Sequence, residues 1–351
     1  MRGPDHPRAM NITLALAGTL LLQSQSNEAA NLQELVLQGC LGTLGPEHPR
    51  TLKVMDALGE GRGQQGRLQE SIDLHQKAID GMRTHLPETD PAIFHALERL
   101  GITLWYCFRF EEAIEHHEKA VSGLKDLLGD NDLKTLIAME SLARTYRDRG
   151  TELLANNEEL GYHLLEKAER NMVFVLEQRT RQLGDKQPYT GLAQLHHGTI
   201  KGAHGELEEG ESLLGSLIPM AVDHLGGDHL GVMAGKNELA LILTKQEQFI
   251  EAEDILLDIS RPDNYRKSST ATGAHPDRCD ALWSLLDCYQ KQKSIDDGLR
   301  TRDELEAVVL GIRRGKKTVR TSDKFWQKIQ DKRAQLQAIR NERLIEYSES
   351  D

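Results

Sequence analysis

The sequence is poor in cysteine and in aromatic residues, and it has no long apolar run. Its 351 residues include four cysteines, and aromatic residues make up only 5%. Four cysteines in so long a chain are too few for a disulfide-dense secreted scaffold, which favours a reducing, cytoplasmic compartment. No segment reaches the roughly 20 apolar residues that a membrane-spanning helix needs.

Motifs that mark enzymes and metal sites are also missing. There is no G-x-S-x-G nucleophile motif and no H-E-x-x-H zinc motif. The segment from Gly311 to Thr318 has three residues between its glycines, where a phosphate-binding loop needs four. His116 and His117 are adjacent, so on a helix they point about 100° apart and cannot chelate one ion together. We therefore expect no catalytic, cofactor or metal site.

Acidic residues outnumber basic ones, with 55 Asp and Glu against 43 Lys and Arg and a net charge of −12. Such a surplus argues against nucleic-acid binding by the whole chain. The balance is uneven, because residues 311–351 carry 11 basic and 6 acidic side chains. This tail has a net charge of +5, and the preceding residues carry −17. The opposite signs predict a tail that is attracted to the rest of the molecule in a salt-dependent way.

A short proline-containing segment returns at a fixed interval along the chain. Gly3-Pro4-Asp5-His6-Pro7 recurs 42 residues later as Gly45-Pro46-Glu47-His48-Pro49. The spacing predicts a repeat array over residues 5–315, with an insertion at about 151–163 and a basic helix or tail over 316–351. Its seven units start near residues 7, 49, 91, 133, 188, 230 and 276.

Each unit also carries a small residue at one fixed position, 22 places after its start once the insertion is removed. These residues are Ala29, Ser71, Ala113, Ala168, Gly210, Ala252 and Gly298. A small side chain at a fixed point is what two helices need where their backbones cross closely. The proline suits the first turn of a helix, and the preceding glycine suits a helix end. Each unit is therefore predicted to be a helix–turn–helix hairpin.

The turn between the two predicted helices carries a recognisable motif. It reads Gln65-Gly66-Arg67-Leu68-Gln69-Glu70-Ser71 in the second unit and Arg109-Phe110-Glu111-Glu112-Ala113 in the third. These units resemble tetratricopeptide repeats of the 42-residue kinesin-light-chain type. HEAT and armadillo repeats have similar lengths but lack this turn and the ladder of small residues. The resemblance implies an all-α, right-handed α-solenoid of about seven helix–turn–helix units plus a C-terminal helix.

The resemblance also implies a function and a surface that performs it. Such arrays are non-catalytic scaffolds that bind a partner peptide or protein on their concave face. The position seven residues after the start of each unit, usually Asn in the family, would face an extended peptide; Asn237 keeps that residue. The same position holds Asp56, Glu98 and Glu140 in three consecutive units. A line of carboxylates predicts a preference for a basic partner. The alternative is that these acids are ordinary solvated helix residues.

The basic tail allows several interpretations. Its first basic residues are Arg313, Arg314, Lys316, Lys317 and Arg320. An interrupted apolar stripe that includes Trp326, Ile329 and Leu336 predicts a helix after Ser322. That helix could cap the last repeat, fold into the acidic groove as an intramolecular ligand, or bind a membrane, RNA or another protein.

Two further alternatives concern the beginning of the chain. The apolar run Ile12–Leu22 has the length of a signal-peptide core, but it also falls on the register of a first repeat. The array could also be the sensor region of a STAND NTPase-type signalling protein, present as a fragment or a separate product. Neither the identity of the partner nor the oligomeric state follows from the sequence.

Overall fold

The computed structural model describes residues 7–185, 187–265, 275–314, 327 and 329–339. Within these ranges the chain forms α-helices, one 3-10 helix at Pro262–Tyr265 and no β-strand. The α-helices are α1 (Pro7–Leu22), α2 (Ser26–Leu44), α3 (Pro49–Gln64), α4 (Leu68–His85), α5 (Pro91–Tyr106), α6 (Phe110–Leu128), α7 (Leu133–Leu153), α8 (Glu158–Leu183), α9 (Pro188–His204), α10 (Leu207–Leu225), α11 (Leu230–Lys245), α12 (Phe249–Ile259), α13 (Pro276–Gln292) and α14 (Ile295–Arg314). Residues 329–339 are also helical and are called the C-terminal helix below.

The helices pack in sequence order as seven hairpins. Each odd-numbered helix packs on the even-numbered helix that follows it, and that helix packs on the first helix of the next hairpin. The first helices of hairpins 2 to 7 also contact one another directly, which makes them an inner layer, whereas the second helices form the outer layer. This arrangement confirms the prediction of an all-α repeat solenoid. We number the hairpins as repeats 1 to 7.

Five of the first helices, α3, α5, α7, α11 and α13, begin where the sequence supplies a cap. A side chain just before the helix accepts a hydrogen bond from the backbone N–H two residues on, at 2.8–3.2 Å, which satisfies a donor that has no partner within the helix. The capping residues are His48, Asp90, Asp132, His229 and His275. In α3, α5 and α13 a proline follows the cap, at a position where its missing N–H leaves no bond unmade.

The ladder of small residues lies where helices cross. All seven of its members are buried. Ser71 donates or accepts a 2.9 Å hydrogen bond with Thr103 of the next repeat. At Gly210 a Cβ atom would lie 3.0 Å from the backbone nitrogen of Gly202, so only glycine allows α9 and α10 to approach this closely. The small residues of the ladder therefore allow the helices to pack closely at these crossings.

The insertion in the fourth unit lengthens both helices of that hairpin. Helix α7 has 21 residues and α8 has 26, against 16 and 18 in α3 and α4. The extended arms meet at Gly150 and Gly161, where a Cβ on Gly150 would lie 2.9 Å from the carbonyl oxygen of Gly161. The insertion is thus part of the packed hairpin.

The C-terminal helix packs against repeat 7. Ile329 and Leu336 are fully buried in a cluster with Leu282 and Leu305, and Lys332 lies 3.3 Å from Asp287. A helix in this position covers the apolar end of the array, as the cap interpretation of the tail requires. Of the basic residues singled out in the tail, Arg313 and Arg314 end α14. Lys316, Lys317 and Arg320 lie outside the described residues.

The Gly101→Ala substitution tests the close crossing of the helices. A Cβ on Gly101 would overlap the ring of the buried His117 in α6. We expect the free energy of unfolding to fall by about 1–3 kcal/mol, as measured by urea denaturation. Gly18→Ala is the control, because no atom lies within 4 Å of the added Cβ. It should stabilise the protein by about 0.5–1 kcal/mol. Equal effects of the two substitutions would contradict the proposed role of Gly101.

Candidate functional site

The inner layer of first helices holds the four residues that the sequence singled out. Asp56 lies in α3, Glu98 in α5, Glu140 in α7 and Asn237 in α11. They occupy equivalent positions, each seven residues after the start of its repeat. Their surroundings differ, however, and these surroundings decide how much charge each presents to a ligand.

Asp56 is buried and paired, with only 3% of the residue exposed. One carboxylate oxygen lies 2.7 Å from Nδ1 of His75, and the other accepts a hydrogen bond from Arg99 of the next repeat at 2.5 Å. Burial alone would raise the pKa of Asp56, but the charge of Arg99 and the bond to His75 outweigh it and lower the pKa. Arg99 also contacts Glu60 at 3.0 Å. The negative charge of Asp56 is therefore neutralised inside the protein.

Glu98 is also buried, with 6% of the residue exposed, but no cation contacts its carboxyl group at ion-pair distance among the described residues. Ser141 of the next repeat donates a 2.7 Å hydrogen bond to it. Burial raises the pKa of Glu98 to about 7, and the bond from Ser141 offsets this only in part. Near neutral pH this side chain is divided between its neutral and charged forms.

Glu140 forms an ion pair with a buried arginine. Nη2 of Arg179, from α8, lies 2.6 Å from its carboxylate. Nε2 of His196, from α9, lies 3.6 Å from the other carboxylate oxygen. Burial lowers the pKa of His196 well below its usual value, so the histidine is neutral and Arg179 supplies the compensating charge. The three predicted acids are thus paired or partly protonated, and their role in a binding groove stays a prediction.

Asn237 differs from these acids because the oxygen of its side-chain amide does not accept a hydrogen bond from the described residues. It is half-buried, and its Oδ1 atom has no hydrogen-bond partner within the part of the chain that the structure describes. A buried carbonyl oxygen without a donor is costly, and it is ready to accept a bond from a ligand. Asn237 is also the residue that keeps the carboxamide expected from the resemblance.

A second group of polar residues, which the sequence did not reveal, connects repeats 3 and 4 with repeat 6. The indole nitrogen of Trp105 donates a 2.5 Å hydrogen bond to Asp148, and the guanidinium of Arg144 lies 4.7 Å from the centre of the Trp105 ring. Arg147 lies 2.6 Å from Asp148 and 3.3 Å from Glu238 of α11. The latter contact joins inner helices that are two repeats apart.

Acid exceeds base in this interior. Burial raises the pKa of Glu238, and the neighbouring Arg147 offsets this only in part. Burial also raises the pKa of Asp277 and of Asp280 in α13. For Asp280 the effect is large, because Asp277, Asp148 and Glu238 add their repulsion. These half-buried carboxylates are short of positive charge. They occupy different positions within their repeats, so comparing equivalent positions along the sequence could not find them.

One cluster among the described residues has metal-ligand chemistry. Ligand atoms of Glu169, His204 and Glu206 lie within 4.8 Å of one another. The ammonium group of Lys201 lies 2.8 Å from Glu169 and 2.9 Å from Glu206. A lysine therefore already supplies the positive charge that a metal ion would bring to these carboxylates.

Comparison with known proteins supports the repeat architecture. Residues 8–84 and 93–151 match the model of the tetratricopeptide repeat family. No curated protein matches the chain. No helix in the described ranges combines the length and the apolar character needed to cross a membrane.

Similar solved structures are repeat solenoids. A Rap protein complexed with competence and sporulation factor is 12% identical with a TM-score of 0.51, covering 94% of this chain and 99% of its own. The Rap conjugation regulator of plasmid pLS20, in complex with the Phr* peptide, is 14% identical with a TM-score of 0.51, and the coverages are 82% and 76%. The "kinesin light chain nearly identical TPR-like repeats" from Podosopora anserina are 20% identical with a TM-score of 0.46 and coverages of 64% and 98%. At these identities the two Rap structures show the fold alone.

Two carboxylates that share Arg99 provide a matched pair of substitutions. Asp56→Asn leaves Arg99, which is one third exposed, and the buried His75 without their anion, so we expect the free energy of unfolding to fall by about 2 kcal/mol. Glu60→Gln removes a partner that is one third exposed and should cost about 0–1 kcal/mol. Urea denaturation of both variants measures the difference. Equal costs would show that the Asp56 contact is not a structural ion pair.

Glu98 should make stability depend on pH. Its pKa rises from 4.5 to about 7 in the folded chain, so between these values the folded state binds more protons than the unfolded state. Its contribution to the free energy of unfolding therefore falls as pH rises from 4.5 to 7, by on the order of 2–3 kcal/mol. The Glu98→Gln variant lacks this titration. The wild type should lose stability relative to the variant between pH 5 and pH 8 in urea denaturation. Parallel pH curves would exclude a raised pKa.

Proposed function

We propose, from the match of residues 8–84 and 93–151 to the tetratricopeptide repeat family, that this chain is a non-catalytic scaffold whose inner wall binds an extended, basic segment of a partner protein. Tetratricopeptide arrays act as protein-interaction scaffolds, and this coarser function follows from the family and the fold. The basic character of the partner rests on one observation, which is the shortage of positive charge around Glu238, Asp277 and Asp280.

The chemistry of these carboxylates suits a lysine or arginine side chain. Burial raises the pKa of these carboxyl groups because it disfavours their charged form, and the nearby positive charge offsets this only in part. A ligand cation would offset the rest and favour the ionised form. Arg147 already contacts Asp148 and Glu238. The remaining capacity for a cation therefore lies toward Asp277 and Asp280.

Asn237 adds a means of holding the ligand backbone. Its unpartnered Oδ1 can accept a hydrogen bond from a peptide N–H group, and its amide nitrogen can donate to a peptide carbonyl. It lies next to Glu238 in α11. In this proposal Asn237 binds the backbone of the ligand and Glu238 binds a positively charged side chain of the ligand. In this proposal Asp56, Glu98 and Glu140 extend the same wall through repeats 2 to 4.

The similar solved structures give the proposal a precedent. The two Rap proteins named above are complexed with competence and sporulation factor and with the Phr* peptide, respectively. Peptide binding is a property of those proteins, and it is carried to this chain only as part of the proposal. The proposed compartment is the cytoplasm, where a reducing environment would keep the four buried cysteines as the free thiols seen here.

The Glu238→Gln/Asp280→Asn double variant tests the basic-ligand proposal. It replaces two ionisable carboxyl groups with amides of nearly the same shape. The probe is a fluorescent peptide of alternating lysine and serine, titrated by fluorescence anisotropy at low salt. We expect its Kd to rise about tenfold or more, which corresponds to about 1.4 kcal/mol or more of binding free energy. A higher salt concentration should also raise the Kd of the wild type.

Two controls accompany this titration. Glu115→Gln removes an exposed carboxylate on α6, paired with Lys119 on the outer layer, and should leave the Kd unchanged. A peptide of alternating glutamate and serine should not bind. The proposal would be wrong if the double variant bound the lysine peptide as tightly as the wild type, or if the two peptides bound equally.

A further inference from the structure

Two capping histidines use both ring nitrogens, and the second nitrogen reaches a distant part of the chain. Nε2 of His229 lies 3.0 Å from the carbonyl oxygen of Leu22 in repeat 1, which is 207 residues earlier. Nε2 of His275 lies 2.9 Å from the carbonyl oxygen of Gln64 in repeat 2, which is 211 residues earlier. In both cases the start of one repeat contacts the turn of the repeat five units before it.

The two bonds of each ring are chemically consistent with each other. Nδ1 accepts the capping hydrogen bond from the backbone of its own helix, so the proton of a neutral ring must lie on Nε2. Nε2–H is then the donor that the distant carbonyl oxygen requires. The His275 ring also stacks on Tyr265, with ring centres 5.5 Å apart, and the histidine is 1% exposed.

The same capping position in other repeats shows what is special about these histidines. Asp90 and Asp132 cap α5 and α7 with a carboxylate, which can accept a bond but cannot donate one. His48 caps α3 in the same way as His229, but it is exposed and makes no long-range hydrogen bond among the described residues. The aspartate caps therefore indicate a substitution that keeps a helix cap without the distant bond. His48 provides a control position for that substitution.

Other contacts lie along the same line. The backbone N–H of Leu230 donates a 3.3 Å bond to Oγ of Ser24, beside the His229 contact. Leu68 and Cys107, at the turns of repeats 2 and 3, belong to one buried apolar cluster with Cys279 and Leu282 of α13. The array therefore closes on itself, with repeats 1 to 3 against repeats 6 and 7.

We propose that His229 and His275 form a two-point clasp that holds the array closed and controls entry of a ligand to the inner wall. The second part of this statement rests on the proposed function, because it assumes that the ligand binds between the two ends. His275 begins the helix that carries Asp277 and Asp280, and His229 begins the helix that carries Asn237 and Glu238. Opening the clasp would move these helices away from repeats 1 and 2 and widen the interior.

The experiment measures the gap across the clasp without any ligand. Spin labels on Thr19→Cys and Asp223→Cys, both at exposed positions, report the distance between repeats 1 and 5 by pulsed electron resonance. The four native cysteines are buried, and burial raises the pKa of Cys107 to about 12, so they should label slowly. The His229→Asp/His275→Asp variant keeps both helix caps and removes both distant bonds. We expect a single narrow distance to become longer and broader.

His48→Asp is the matched control and should leave the distance unchanged. Circular dichroism checks that helix content is retained. If the two aspartates lower it, the His229→Asn/His275→Asn pair replaces them, since asparagine also caps helices well. An unchanged distance distribution in the folded double variant would overturn the clasp, as would an equal change in His48→Asp.

A second measurement separates the clasp from the proposed function. In the double variant, the association rate of the lysine–serine peptide should rise severalfold over that of the wild type. A wider array with an unchanged association rate would overturn control of entry. A peptide that binds neither protein, together with a widened gap, would count against the basic-ligand proposal and leave the clasp itself supported.

Discussion

Close crossing of two helices at one small residue per repeat is the constraint on which the whole structure depends. Ser71 and Gly210 show the two ways of meeting it, through a short hydroxyl that bonds to the next repeat or through no side chain at all. A small residue at the same position of every repeat lets neighbouring helices pack closely throughout the array. A small rotation repeated five times brings the start of repeat 6 to the turn of repeat 1. The curvature that creates an inner wall therefore also closes the array.

Packing between neighbouring helices changes the electrostatics of the inner layer. If the acids of the inner helices faced water, their alignment would produce an acidic surface. Here Arg99 of the next repeat reaches Asp56, Arg179 of the same repeat reaches Glu140, and burial raises the pKa of Glu98. Charge that the array does not neutralise remains where repeats 4, 6 and 7 face one another. The inner wall thus has one region in which a cationic ligand would lower the free energy most.

The sequence predicts the local architecture well and the long-range contacts poorly. The proline phasing and the small residues depend on interactions between neighbouring helices, so the 42-residue pattern reveals the hairpins and the all-α solenoid. Burial of Asp56 depends on Arg99 in the next repeat, 43 residues away, and no single-position pattern shows that pairing. The contact between Arg147 and Glu238 depends on the accumulated curvature of several repeats. For the same reason the sequence identified Asn237 but not Asp277 or Asp280.

The strength of the closure suits a binding protein. A net contribution of about 0.5–1.5 kcal/mol per neutral hydrogen bond gives the two histidine bonds about 1–3 kcal/mol together. If only these two bonds opposed opening, the open form would hold between roughly a sixth and roughly one in 150 of the molecules, and a ligand that prefers the open form modestly could shift this balance. The buried contacts of Leu68 and Cys107 with α13 add to this bias. These apolar contacts are not directional. They limit the distance between the two ends of the array but do not determine which residues face one another. The histidines, by contrast, fix which turn meets which helix start, and the array consequently has one closed state.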